Sequence, residues 1–254
     1  MGSSLAAGPG VGTRDPGSPP LCMRSSSNYP HLLAAMRGLT LKDVTCSGAT
    51  TAGILKGQRI LPPQIDAVGP ETKLVTVTIG GNDVNLAGNL FAWSCANAPE
   101  KIPAAWQPWI CTVPQRPRIE EGFSHLEGEL LAIVKGIHQR APRARVIFVD
   151  YPQLVPANGS CPDRLPLTEE ELAQSRADAA RLAAITAKAA KESGAGLVQA
   201  SEFSRGHDVC ATDPWIFPVV FPPHLLDFAP LAYHPNAKAM DAIAGALDKA
   251  LTAP

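Results

Sequence analysis

Four short stretches of the chain carry residue types that could perform covalent chemistry together. Gly2-Ser3-Ser4-Leu5 offers the Ser4 hydroxyl, and Tyr233-His234-Pro235-Asn236 offers the His234 imidazole. Gly80-Gly81-Asn82-Asp83 offers the Asn82 side-chain amide, and Ser47-Gly48-Ala49-Thr50 offers the backbone N–H of Gly48. Acyl transfer needs these parts. A serine hydroxyl is a weak nucleophile until a base takes its proton, and the oxyanion it generates needs donors aimed at it. The other histidines (His31, His125, His138, His207 and His224) adjoin no comparable cluster. His207-Asp208 is the tempting rival, but adjacent side chains usually point apart.

For these parts to meet, the chain must place them at one rim. The most strand-like segment is Lys73-Leu74-Val75-Thr76-Val77-Thr78-Ile79, which runs directly into Gly80-Gly81-Asn82. Its unbroken apolar, β-branched character predicts burial on both faces, as in a parallel sheet. Asp43–Cys46 is expected as a short strand before Gly48, and Arg145–Val149 and Gly196–Ala200 as two more. Apolar spacing predicts helices from about Asn28 to Arg37 and from Ile119 to about Arg140. Thr168 with Glu171 forms a capping-box start for an Ala-rich helix to about Glu192, and His234–Leu251 closes the chain as a helix. Strands alternating with helices indicate an α/β domain with a parallel sheet. In such sheets ligands sit at the carboxyl ends of the strands, where Gly48 and Asn82 fall and where Ser4 and His234 can approach.

The chain has 254 residues, 45% of them hydrophobic and only 18% charged, which excludes a mostly disordered protein. A single domain spanning 1–254 is expected, with long loop excursions at about 84–118 and 201–233. Net charge is −1, without the basic excess that a nucleic-acid binder uses to neutralise phosphates. No apolar run is long enough for an integral membrane segment. The six cysteines (Cys22, Cys46, Cys95, Cys111, Cys161 and Cys210) form no C-x-x-C pair and no zinc spacing with a histidine. Each lies near loop-favouring residues, which suits disulfides in an oxidising compartment. A secreted or cell-envelope protein is therefore expected, with no signal peptide present in this chain. Trp93, Trp106, Trp109 and Trp215, with Phe217, Phe221 and Leu225, could wall an apolar groove or pack the excursions onto the core.

In order along the chain, the four stretches resemble the conserved blocks of the SGNH hydrolases, the GDSL esterases and lipases. Gly-Gly-Asn-Asp directly after an apolar strand is the most specific of them. Arg24-Ser25-Ser26-Ser27-Asn28-Tyr29-Pro30 and Cys46-Ser47-Gly48-Ala49-Thr50 further resemble the secreted actinobacterial branch. The resemblance implies a three-layer α/β/α fold with a parallel, flavodoxin-like sheet. It implies three disulfides paired in sequence order: Cys22 with Cys46, Cys95 with Cys111, and Cys161 with Cys210. It also implies Ser4 as nucleophile, His234 as general base, and an oxyanion hole made by the Ser4 and Gly48 N–H groups and the Asn82 amide.

Three departures bear on that expectation. Ser3 stands where the family has an Asp, a change expected to be tolerated. The chain opens almost at its first block, where the family places an apolar strand ahead of it. Either that strand was lost with a leader, or the sheet lacks its first central strand, which would leave Ser4 on a mobile terminus. Leu231 replaces the Asp that commonly precedes the histidine by three residues. A backbone carbonyl of Leu231 or Ala232 would then orient His234, with Asp227 as the side-chain alternative. The expected activity is hydrolysis of a small-molecule or lipid ester by a monomer without cofactor or metal. Acyl transfer to a sugar or lipid hydroxyl, and a non-catalytic binding protein, are the alternatives.

Overall fold

The computed structural model describes residues 1–101, 104, 107–112, 115–219 and 231–252. Along them run α1 (Ser4–Ala7), α2 (Tyr29–Arg37), α3 (Thr51–Leu55), β1 (Leu74–Val77), α4 (Leu86–Asn97), α5 (Gln107–Ile110) and α6 (Arg116–Arg140). They are followed by β2 (Arg145–Val149), α7 (Glu169–Ser193), β3 (Gly196–Val198), α8 (Ala200–Phe203) and α9 (Ala237–Thr252).

The central strand explains the layering. In β2, Val146 and Phe148 enter one apolar core while Ile147 and Val149 enter another, so both faces of the strand are covered. Strands β1 and β3 flank it in parallel, with Val75 opposite Val146 and Phe148 opposite Leu197. On one face, Leu126, Leu130 and Ile133 of α6 and Leu172 and Leu182 of α7 join Val75, Val77, Val146 and Phe148. On the other, Tyr29 and Leu33 of α2 and Met240, Ile243 and Leu247 of α9 close over Ile147, Val149 and Val198. The result is the three-layer α/β/α arrangement. Helix α7 starts on the Thr168–Glu171 capping box, with both reciprocal hydrogen bonds made, and ends at Gly194 in the left-handed region.

The first residues are held at the sheet's edge. Gly2 pairs with Thr78 just beyond β1, and the Ser3 N–H donates to the Thr78 carbonyl at 2.9 Å. On its other side, the Cys46 N–H donates to the Gly2 carbonyl at 3.0 Å. The Gln64 side chain brackets the same residue, accepting from the Gly2 N–H at 2.8 Å and donating to its carbonyl at 3.0 Å. Ser4 therefore stands on a fixed segment, not on the mobile terminus that a missing strand would leave.

Two expectations need correction. Asp43–Cys46 is not a strand, because the Asp43 carboxylate accepts the Thr45 N–H at 2.8 Å. That side-chain turn competes with extended pairing. The stretch 84–118 is not all loop: among the described residues it holds α4 and α5, and α6 begins at Arg116. In the second excursion, α8 opens the stretch, residues 204–219 are largely irregular, and 220–230 lie outside the described residues. Disulfides join Cys22 to Cys46, Cys95 to Cys111 and Cys161 to Cys210. Among the described residues, no helix is long and apolar enough to cross a membrane.

Candidate active site

Three backbone segments lie side by side in the order Cys46, Gly2, Thr78 and leave the sheet at the same end. Two residues beyond Cys46 comes Gly48, two beyond Gly2 comes Ser4, and four beyond Thr78 comes Asn82. Lateral pairing thus delivers all three turns to one rim. Gly48 has φ +76°, a left-handed conformation that side-chain-bearing residues adopt only with strain. Ser4 is the first residue of α1, a position whose N–H has no partner within the helix. Among the described residues, neither that N–H nor the Gly48 N–H meets an acceptor. The Asn82 amide donates to the Ala49 carbonyl at 2.8 Å, which fixes its orientation and uses only one of its two N–H hydrogens.

His234 reaches this rim from the far end of the chain. Its Nε2 lies 2.8 Å from Ser4 Oγ, and its Nδ1 lies 2.8 Å from the Ala232 carbonyl. A carbonyl can only accept, so the proton sits on Nδ1 and Nε2 is left to accept from the serine. Both side chains are nearly covered, with Ser4 at 6% and His234 at 9% exposure. Burial pushes the imidazole pKa below its ordinary value, against the Ala232 bond, which raises it. The imidazole is therefore neutral and able to accept a proton at ordinary pH.

The histidine's support comes from an irregular ribbon. Tyr233 N–H donates to the Phe217 carbonyl and Phe217 N–H to the His234 carbonyl, each at 2.9 Å, and Ile216 bridges Pro235. Asn236 accepts from the Lys238 and Ala239 N–H groups, so α9 starts at Ala237 and not at His234. Tyr233 takes φ +60° and sends its hydroxyl 2.5 Å from Ser94 Oγ on α4. Of the two carbonyls expected for Nδ1, Ala232 receives it. Leu231 instead accepts the His234 backbone N–H at 3.2 Å. Asp227 lies outside the described residues.

Tyr151 was missed at the sequence level. Its hydroxyl accepts the Gly81 N–H at 2.8 Å and lies 3.2 Å from Ser3 Oγ. A Cβ on Gly81 would fall 2.5 Å from the tyrosine ring, so only glycine lets the turn rest on it. Ser3, in the position of the family's Asp, is thus tied to the Asn82 turn through a phenol. The available signal was position: Tyr151 follows the central strand β2 by two residues, at its carboxyl end.

Of the two readings open for the aromatics, the described ones favour packing onto the core. Trp93 packs against the core, and Trp215 stacks on His207 with ring centres 4.0 Å apart. Trp106, Phe221 and Leu225 lie outside the described residues, as does the Trp109 side chain. A cleft of about 620 Å³ opens instead beside Leu86, Leu90, Leu154, Val155 and Ala179, with Arg176 at its edge. Neither Ser4 nor His234 lines it, though the Leu86 N–H donates to the Gly81 carbonyl at 2.7 Å.

Residues 1–242 match the model of the GDSL-like lipase/acylhydrolase family. Lipase 2 of Streptomyces coelicolor is 37% identical over 243 residues, 93% of this chain and 79% of that protein. The crystal structure of an extracellular lipase from Streptomyces rimosus superposes with a TM-score of 0.75 at 30% identity, covering 98% of this chain and 97% of that one. That of phospholipase A1 from Streptomyces albidoflavus gives a TM-score of 0.76 at 27% identity, covering 98% and 96%.

Proposed function

Because the chain belongs to the GDSL-like lipase/acylhydrolase family, we propose that it is a single-domain serine esterase or lipase whose dyad of Ser4 and His234 hydrolyses carboxylic esters. The observation that carries this reading is the 2.8 Å approach of His234 Nε2 to Ser4 Oγ across 230 positions of sequence. In the first half-reaction, Nε2 takes the hydroxyl proton as Oγ bonds to the ester carbonyl carbon. The carbonyl oxygen becomes an oxyanion held by the Ser4 and Gly48 N–H groups and the Asn82 amide. The C–O bond to the alcohol then breaks, and the imidazolium returns its proton to the departing alkoxide. In the second half, His234 deprotonates a water that attacks the acyl-enzyme, and the acid leaves as Ser4 recovers its proton.

Relatives named lipase, extracellular lipase and phospholipase A1 support a lipid ester as substrate and a secreted protein. The cleft beside Leu86 and Leu90 offers apolar surface for an acyl chain close to the Asn82 turn. The test is hydrolysis of p-nitrophenyl esters of graded chain length by the wild type and by Ser4→Ala, with fluorophosphonate labelling of the folded protein. Turnover falling to background in the mutant and label on Ser4 are expected. Full turnover by Ser4→Ala would remove the nucleophile from the scheme.

A further inference from the structure

Three side chains that the mechanism does not use meet where the two oxyanion turns touch. Asn82 donates to the Ala49 carbonyl, and in the opposite direction the Thr51 N–H donates to the Asp83 carboxyl, at 3.1 and 3.2 Å to its two oxygens. The turn carrying Gly48 and the turn carrying Asn82 are therefore clasped in both senses. The Thr51 hydroxyl lies 2.5 Å from Asp83 Oδ1 and also hydrogen-bonds Glu129 Oε2 on α6. Thr50, at the cap position of α3, makes no side-chain cap, so Asp83 supplies the acceptor that this helix start lacks.

Counting protons gives the chemistry. A threonine hydroxyl has one hydrogen to donate, yet both of its neighbours are carboxyl groups. Thr51 can give its hydrogen to one of them, so the other must carry a proton and donate to the hydroxyl oxygen. With both carboxyls ionised, one carboxylate would face an oxygen lone pair without a hydrogen between them. Helix α6 also touches this turn lower down, where Gly122 lies so close that a Cβ would fall 2.2 Å from the Asp83 carbonyl oxygen. Tyr151 and Glu129 are the titratable groups facing Asp83 from the neighbouring elements. Burial, with the Glu129 charge adding to it, raises the Asp83 carboxyl above its ordinary value, against the hydrogen bonds from Thr51. Burial raises Tyr151 too, keeping it neutral.

Resting on the hydrolase reading above, we infer that Glu129 is a positioning residue for the reaction: through the Thr51 hydroxyl, which it holds against Asp83, it locks the Gly48 and Asn82 donors in mutual register. It touches no substrate atom, and its effect falls on the transition state, where the oxyanion donors act.

The experiment measures kcat and KM for a short p-nitrophenyl ester across pH with the wild type, Glu129→Leu and Glu129→Gln, alongside thermal unfolding. The glutamine amide has a hydrogen for the Thr51 oxygen, which frees the Thr51 hydrogen for an ionised Asp83. Glu129→Leu is expected to lower kcat about tenfold or more, since small misplacements of reacting groups cost up to about a hundredfold, with KM changed by no more than about twofold. Glu129→Gln is expected to retain wild-type kcat and to lose the alkaline fall in kcat that the wild type shows as the Asp83 proton departs. Equal losses of kcat in the Gln and Leu variants would overturn the inference, as would an unchanged kcat in Glu129→Leu. A wild-type kcat flat to the alkaline limit of folding would overturn the protonated Asp83 and with it the role given to the Thr51 hydroxyl. Failure of the hydrolase reading looks different: fluorophosphonate then leaves wild-type Ser4 unlabelled.

Discussion

At the residue scale, the sharpest consequence attaches to Asn82. Its amide is oriented by the Ala49 carbonyl before substrate arrives, so its donor is in place without reorganisation. Asn82→Ala should lower kcat/KM by about a hundredfold to a thousandfold, while fluorophosphonate still reaches Ser4. A loss under about threefold would take Asn82 out of the oxyanion hole. The second consequence concerns pH. His234 is held neutral by burial, with its pKa below about 6.5. Activity should persist below that value and fall only as pH passes through the lowered pKa, in a kcat/KM profile. The sign for stability is the same. Between the lowered folded pKa and the ordinary one the unfolded chain binds the proton and the folded one does not, so stability from this group rises with pH there and is lost as pH falls. Asp150 acts oppositely: burial raises its carboxyl to about 6, against its Ser201 bonds, so its contribution is lost as pH rises towards that value. Ser4, Gly48, Asn82 and His234 could be singled out in the sequence because their blocks follow one another in a fixed order, with Gly-Gly-Asn-Asp after an apolar strand the most specific. Tyr151, Thr51 and Glu129 could not, because their roles depend on contacts across 32 to 148 positions that no local spacing encodes.

At the element scale, legibility followed the number of faces an element exposes. Helix α6 buries one stripe (Leu126, Leu130, Ile133 and Ile137) and turns Glu121 and Ser124 to solvent, so its period was readable. Helix α4 is apolar nearly all round, with Leu86, Leu90 and Cys95 buried and Phe91 and Trp93 packed on the core. A helix covered on several sides shows no contrast between faces, and it read as an aperiodic excursion. The first strand-like pairing was hidden for another reason: Gly2 bonds to Thr78, Cys46 and a glutamine side chain with too few residues to form a pattern. Gly122 gives the element-scale prediction. Gly122→Ala puts a methyl group against the Asp83 carbonyl, which backbone cannot yield as a flexible side chain would. It should destabilise by about 1–3 kcal/mol and lower kcat together with the melting temperature. A variant with wild-type melting and turnover would show that α6 does not bear on the oxyanion turn.

At the scale of the whole molecule, the irregular segments are tied down by covalent bonds. Cys22–Cys46 joins the segment after α1 to the approach to Gly48, and Cys161–Cys210 joins the residues after β2 to those after α8. Cys95–Cys111 anchors α4, whose Ser94 meets Tyr233 beside His234. In the chain-entropy account, loops of these lengths contribute about 3–4 kcal/mol apiece. Reduction should therefore lower the melting temperature strongly, and activity should fall in parallel as the His234 ribbon loosens. Unchanged melting in strong reductant would count against that account. The ribbon has one further implication. What steadies the imidazole from behind is the peptide oxygen of Ala232, not a side chain. No replacement of residue 232 can delete that oxygen, so at this buried position the side chain matters only for packing. The vulnerability moves to the path of the main chain, to Tyr233 with its left-handed backbone and to its anchor on Ser94.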